Sequence, residues 1–487
     1  MPSGIAFIRM CLEEVMKMKR LLFCMAAVFI FMLHPMEAFA DEVPGEAKTA
    51  EELAAEEEKE KADSYAREID TNKLEGWPQG PAVYADSAIV MDMDSKAILF
   101  SKNVDAKHYP ASITKLLTTL VALEHAELTD KVTFTEDSVS FLQYDDAQIG
   151  MKPGEELSME DALHGVLLAS ANEVSYAVAE SVGQQKLGGN YESFIQTMND
   201  RAEELGCTGS HWANPNGLHN DDHYTTAHDM ALIASAVYQE DEFQKIMDTL
   251  EYKIGPTNLT KEERVFQQNH KMMWPENYYY YEYCTGGKTG YTDQAKTTLV
   301  TMADNGDMRL AAVVLYDYGV DAYTDTRGML DYVFQNFQKV SVSGQETSED
   351  VQSFSDPDSY VVLPEGISFS QLDKEISLTE EGIRDGRILY SYKGQSVGSV
   401  DVTVTEECYC KLMGIEPGGK GDKEALHTAE KSKTIAKQSV SGENRQLKLI
   451  IAVGSVVIFV LIIFMYALKR RKKKALRHRK RAIRGRD

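Results

Sequence analysis

The stretch Tyr109-Pro110-Ala111-Ser112-Ile113-Thr114-Lys115, with the run from Leu116 to Leu128 after it, organises the reading of this chain. Apolar residues at Leu116, Leu117, Leu120, Val121 and Leu123 recur with the helical period, which predicts a helix with one buried face. Pro110 and Ala111 lead into it and place Ser112 at or near the first turn. Ser112 and Lys115 stand three residues apart, so they share a face and the amine can reach the hydroxyl from one turn below. A serine hydroxyl is inert without an adjacent base. Lysine becomes that base when burial or a second cation lowers its pKa. The pattern is also common at ordinary helix starts with a solvated lysine, so these residues alone do not establish chemistry.

Upstream, Ala88 to Met93 and Ala97 to Ser101 bracket Asp94-Ser95-Lys96 and read as a β-hairpin, which puts Ser112 at a sheet–helix junction. Residues 41–75 are rich in Glu, Ala and Lys and read as a solvated, partly helical or disordered spacer. Before them, Met16-Lys17-Met18-Lys19-Arg20, the apolar run Leu21 to Leu33 and Ala38-Phe39-Ala40 have the form of a cleavable secretory signal within residues 1–40. Residues 1–15 read as an upstream extension, with Met16 or Met18 as the start.

Downstream, Glu160 to Ser181 reads as a second amphipathic helix, interrupted by the small polar triplet Ser170-Ala171-Asn172. His211 to Asp229 holds four histidines and three aspartates, which raises a metal site. The segment lacks a helical His pair, and Asn214-Pro215-Asn216-Gly217 is turn chemistry, so a structured loop feeding a helix from Thr226 is the better reading. Gly287-Lys288-Thr289 resembles the end of a phosphate loop, but Glu282 stands where that loop needs glycine. Leu299 to Met302 and Met308 to Leu315 read as strands around Asp304-Asn305-Gly306, and Met329 to Phe337 as a closing helix. Residues 341–412 alternate in short runs with glycine turns and read as a small all-β domain. Residues 413–446 read as a flexible linker.

Leu449 to Leu468 holds twenty uncharged residues, long enough to cross a bilayer. The last nineteen residues, 469–487, carry twelve Lys/Arg and one Asp, which places that end in the cytoplasm. The formal charge of −25 for 487 residues therefore understates how acidic the body is. Such a body repels nucleic acid. Of six cysteines, Cys11 and Cys24 precede the expected cleavage site, and the remaining four, Cys207, Cys284, Cys408 and Cys410, are scattered and too few for a disulfide scaffold.

Ser112-x-x-Lys115, Ser170-x-Asn172 and Lys288-Thr289-Gly290 stand in the order shared by penicillin-binding proteins and class A β-lactamases. The chain most resembles the low-molecular-mass penicillin-binding proteins, serine-type D-alanyl-D-alanine carboxypeptidases of peptidase family S11, over roughly residues 76–410. Asn214 to Leu218 and Tyr224 to Ala227 belong to that resemblance. It implies an α+β fold for residues 76–340, an antiparallel sheet flanked by helices plus a helical lobe, with a β-rich domain and a membrane anchor behind it. It implies that Ser112 attacks the D-Ala-D-Ala bond of peptidoglycan stem peptides and that Lys115 takes its proton. Ser170 would relay a proton to the leaving D-alanine, and Asn172 would bind substrate or Lys115. Lys288 and Thr289 would hold the terminal carboxylate, Gly290 would let the edge strand lie close to substrate, and the N–H groups of Ser112 and Tyr291 would form an oxyanion hole. β-Lactams would acylate Ser112, with no cofactor and no metal. The implied location is the extracytoplasmic face of a bacterial cell membrane, with one span and the C-terminus in the cytoplasm.

Two departures and two rivals accompany the resemblance. The family usually places an arginine near Ala322, and Arg327 is the nearest candidate. Its anchor is often an amphipathic helix, whereas this chain carries a full span. A β-lactamase would be shorter and, in class A, would carry a Glu-x-x-Leu-Asn segment that residues 173–284 lack. A catalytically silent scaffold in the cell wall would not need all three motifs intact.

Overall fold

The structure is a computed structural model that describes residues 49–379 and 383–415. Two units divide the chain, residues 1–60 and 61–487. Of the first, the described part is helical from Ala50; all that follows concerns the second. The signal segment, the stretch Leu449 to Leu468 and the basic tail lie outside the described residues. Among the described residues no helix is long and apolar enough to cross a membrane.

The hairpin forms as β1 (Ser87–Asp92) and β2 (Ile98–Lys102). Helix α1 (Lys115–His125) follows, then α2 (Met159–Leu167), α3 (Asn172–Gln185) and α4 (Ala227–Val237). The chain returns to the sheet as β3 (Cys284–Thr292), β4 (Lys296–Asp304) and β5 (Arg309–Asp317), and leaves it as α5 (Asp321–Asn336). The sheet order is β2-β1-β5-β4-β3, antiparallel throughout, with β3 at one edge.

Alternation along the strands explains the layers. Ile89, Met91, Val300, Met302, Ala311 and Val313 face α1 to α4 in one core. Ala88, Val90, Leu299, Leu310, Ala312 and Val314 face α5 and the trailing strands in a second. Every residue of β1 is buried, so its sequence shows no polar alternation.

Three expectations need correction. The helix from Glu160 to Ser181 is two helices, because Ser170 sits at φ 60° between α2 and α3. The acidic spacer does not extend to residue 75: Ser64, Ile69 and Thr71 are buried. The reason is the Lys102 amine, itself buried, which donates to the carbonyls of Ser64 (2.8 Å), Val83 (2.9 Å) and Ala85 (2.6 Å). An ammonium held inside needs such acceptors, so the segment is drawn in despite its charged composition.

The trailing region is neither all-β nor separate. β6 (Phe337–Ser341) pairs with β8 (Tyr360–Pro364), while β7 (Val351–Phe354) joins β9 (Asp373–Leu378), β10 (Asp385–Tyr392) and β11 (Gln395–Val404) in the order β7-β11-β10-β9. Thr405 then caps α6 (Glu406–Met413) by accepting the Cys408 N–H. Val361, Val362, Ile388 and Val400 share the second core with Trp77, Leu330 and Phe337. Cys408 and Cys410 are buried there.

Candidate active site

Ser112 lies in a 3₁₀ turn, Ala111–Thr114, and α1 begins only at Lys115. The tighter turn swings the serine to the mouth of the cleft while the lysine stays beneath. Ala111 adopts φ 51°, a strained value for a residue with a side chain. The surroundings hold it there. Thr298 Oγ1 donates to the Pro110 carbonyl (2.8 Å), and Thr114 Oγ1 donates to the Ala111 carbonyl (2.8 Å). Thr114 also meets His223 Nε2 at 2.8 Å. Burial pushes the His223 pKa down to about 3, so this ring stays neutral and works as a spacer.

Two glycines close on the turn from either side. A methyl group at Gly290 would lie 2.4 Å from Thr298 Oγ1 and 2.9 Å from the Ser112 nitrogen. The close approach that Gly290 permits is thus to the serine turn itself, beside the space left for substrate. At Gly217 (φ 84°) a methyl group would lie 1.8 Å from the Ala111 oxygen. Gly217→Ala is therefore expected to drive residues 214–217 off the serine turn. Stability should fall by about 2–3 kcal/mol in urea denaturation, with a parallel loss of whatever activity Ser112 supports. An unchanged midpoint would show that the loop yields freely.

Lys115 is fully buried, and its Nζ lies 2.9 Å from Ser112 Oγ, 2.8 Å from Asn172 Oδ1 and 2.6 Å from the Asn216 carbonyl. Burial, and then the charge of Lys288, hold its pKa well below the usual lysine value. A neutral amine has two hydrogens and one lone pair. The two carbonyl oxygens can only accept, so they use both hydrogens. In the neutral form that burial favours, the lone pair is then left for Ser112 Oγ.

Across the cleft, Lys288 Nζ donates to Ser170 Oγ (3.0 Å) and to the Thr289 carbonyl (2.8 Å). Lys288 is buried on the edge strand β3, and burial lowers its pKa to about 7. Asn172 opens α3 and Ser170 precedes it, so the break between α2 and α3 is what aims both side chains into the cleft. Glu173, the next residue, is buried and accepts the N–H groups of Ile149 (2.8 Å) and Gly150 (3.1 Å), tying the 146–150 loop to this wall.

The structure thus brings Ser112, Lys115 and Asn172 into one chain of contacts and Ser170 with Lys288 into another, with Gly290 against the serine turn. Thr289 supplies its carbonyl to Lys288. The Tyr291 ring is 62% exposed with its hydroxyl 3.3 Å from Asp293, so only its backbone is available to the cleft. Arg327 is exposed and sits over the Tyr281 ring, 5.4 Å from its centre. The histidines of 211–228 are spent on separate structural contacts, and among the described residues no group of His, Cys, Asp and Glu is placed to hold a metal ion. Sequence reasoning missed the Asn216 carbonyl and Glu173. The first has no side-chain signature at all; the second offered only its place beside Asn172.

A family model described as D-alanyl-D-alanine carboxypeptidase, peptidase S11, matches residues 75–319. The chain is 29% identical over 337 residues to the D-alanyl-D-alanine carboxypeptidase DacF of Bacillus subtilis, covering 65% of this chain and 80% of that protein. It is 27% identical over 357 residues to the D-alanyl-D-alanine carboxypeptidase DacA of Haemophilus influenzae, covering 67% and 86%. Among solved structures, penicillin binding protein 5 from Haemophilus influenzae matches with a TM-score of 0.53 and 25% identity, over 67% of this chain and 98% of that one.

Proposed function

This chain belongs to the peptidase S11 family of D-alanyl-D-alanine carboxypeptidases, and from that premise we propose how its residues share the work. The enzyme removes the terminal D-alanine from peptidoglycan stem peptides ending in D-Ala-D-Ala through a serine acyl-enzyme, and β-lactams acylate the same serine. Ser112 Oγ attacks the carbonyl carbon as its proton passes to the Lys115 lone pair. The N–H groups of Ser112 and Tyr291 receive the negative charge that develops on the carbonyl oxygen. The C–N bond breaks, and the leaving nitrogen takes, relayed through Ser170, the proton that Lys115 received, which returns Lys115 to its neutral form. Water, deprotonated by Lys115, then cleaves the ester and restores Ser112. Lys288 and Thr289 bind the terminal carboxylate, which selects a free C-terminus.

The placement of Lys115 carries this assignment: its buried amine lies 2.9 Å from Ser112 Oγ with two carbonyl oxygens to take its hydrogens, and burial favours its neutral form. The test is mass spectrometry of the full chain after brief exposure to benzylpenicillin. A single adduct on the peptide containing Ser112 is expected, and an adduct elsewhere overturns the assignment.

The pH dependence follows from the two amines. Lys115 works only when neutral, so activity is lost as pH falls through its lowered pKa. Lys288 holds a carboxylate only when protonated, so its contribution is lost as pH rises through about 7 in the free enzyme. The profile of kcat/KM should be bell-shaped, with the alkaline limb near neutrality. Lys288→Arg, whose guanidinium stays protonated, should move that limb upward. A native profile that stays level to about pH 9 would remove Lys288 from carboxylate binding.

We further propose that the chain is exported and anchored outside the cytoplasmic membrane by Leu449 to Leu468, with residues 469–487 inside. The signal-like segment, the uncharged run and the basic cluster after it support this orientation. Alkaline extraction of membranes, followed by protease treatment of intact cells stripped of wall, tests it: the body should be digested and the tail protected.

A further inference from the structure

The loop that Glu173 holds is gripped from its other side as well. Ile149 and Gly150 give their N–H groups to Glu173, and their carbonyls go to Arg264, far along the chain. Arg264 Nε donates to the Ile149 carbonyl (3.0 Å), and Nη2 donates to the Gly150 carbonyl (3.1 Å). The peptide unit joining the two residues therefore has its N–H on a carboxyl oxygen and its own oxygen on a cation, two contacts that reinforce one another.

Arg264 opens the second strand of a hairpin, Glu251–Ile254 paired with Arg264–Gln267. Glu155 seats its guanidinium, with one oxygen 3.0 Å from Nη1 and the other 3.0 Å from Nη2. That carboxylate is fully buried, and it also accepts the Thr257 hydroxyl from the turn of the same hairpin. A guanidinium has donors enough for two carbonyls and a carboxylate at once.

The loop matters for what it adjoins. The Ala147 carbonyl accepts the Asn172 N–H (2.8 Å), fixing the first residue of α3, whose side chain meets Lys115. Ile149 packs against the first core. The charges facing the Lys115 amine are Lys288 on β3, Glu173 on α3 and Asp146 in the loop, with the neutral His223 ring behind Thr114. Burial is the largest influence on that amine.

We propose that Arg264 is a positioning residue for the reaction at Ser112: by gripping the 149–150 peptide it keeps the 146–150 loop closed over Lys115 and Asn172 set against it. The proposal rests on the roles assigned above to Ser112 and Lys115.

The test follows benzylpenicillin acylation of the full chain in detergent by intact mass across pH, so that the acid limb reports the Lys115 amine. In Arg264→Gln the loop is released, and water reaches the amine. Moving Asp146 away works in the opposite sense, but burial is the larger influence. The limb should therefore move to higher pH by about 1 unit, a fraction of the roughly 3–5 that complete burial imposes. Below the limb that is about a tenfold slower acylation. Arg264→Lys keeps the charge beside Glu155 without the fork, and its limb should fall between the two. Val400→Ala, a truncation in the second core, should weaken the fold and leave the limb in place. A limb in Arg264→Gln level with the native one, or an equal shift in Val400→Ala, overturns the positioning role and leaves the reaction standing. Should Arg264→Gln not fold, Arg264→Lys decides, and a limb level with the native one overturns the role. A native chain that is not acylated at Ser112 overturns the reaction and the role with it.

Discussion

Lys115→Met is expected to lower both D-alanine release and benzylpenicillin acylation by about 10³-fold, within the range of 10² to 10⁴ for a lost general base. Methionine matches the length of the lysine stem and suits a fully buried position. What disappears is the lone pair 2.9 Å from Ser112 Oγ. The Asn172 side-chain oxygen and the Asn216 carbonyl also lose their donor. Each buried acceptor left unpaired costs about 1–3 kcal/mol, so some stability should go as well. Lys115→Arg separates the two effects. A guanidinium can donate to both oxygens but stays protonated and cannot take the serine proton. It should therefore be as inactive as the methionine variant, and substantial activity in it would refute Lys115 as the base.

Ser112→Ala is expected to remove D-alanine release to below about 10⁻⁴ of native and to abolish benzylpenicillin labelling outright, since Ser112 Oγ is the hydroxyl that the Lys115 amine contacts. Stability should change little. Among the described residues Ser112 Oγ has Lys115 and, weakly, the Asn216 carbonyl at 3.5 Å as partners, and the strained turn at Ala111 is held by the Thr298 and Thr114 hydroxyls, which the substitution leaves alone. A variant that folds, binds substrate and cannot react is the expected result, read by denaturation alongside intact-protein mass. Residual labelling on this variant would locate the nucleophile elsewhere.

The parts of the fold legible in the sequence were those with a local signature. The hairpin showed through its Asp94-Ser95-Lys96 turn, and α1 and α4 through apolar period and, for α4, the Thr226 cap. Strand ends were misjudged by a residue or more where both faces are covered, as in β1, because nothing alternates there. The length of α5, which starts at Asp321, was hidden by its polar first turns. The short helix α6 follows a Thr405 cap and two glutamates, signals present in the sequence and overridden by the β-like run before them.

The site divides along the same line. Ser112 and Lys115 are neighbours by helical spacing. The meeting of Lys115 with Asn172, 57 residues away, and of Lys288 with Ser170, 118 away, is set by the packing of α1, α3 and β3. No local pattern encodes such a meeting; the family resemblance supplied it. The Asn216 carbonyl is beyond any residue-type signal, because every residue has one.

The shared second core has a practical consequence for anyone shortening this enzyme. Trp77 and Leu330 from the catalytic body belong to the same apolar layer as Val361, Ile388 and Val400. A version cut after α5 would leave a greasy wall on the back of the sheet open to water and would be prone to clumping, even though every reacting group lies on the other side.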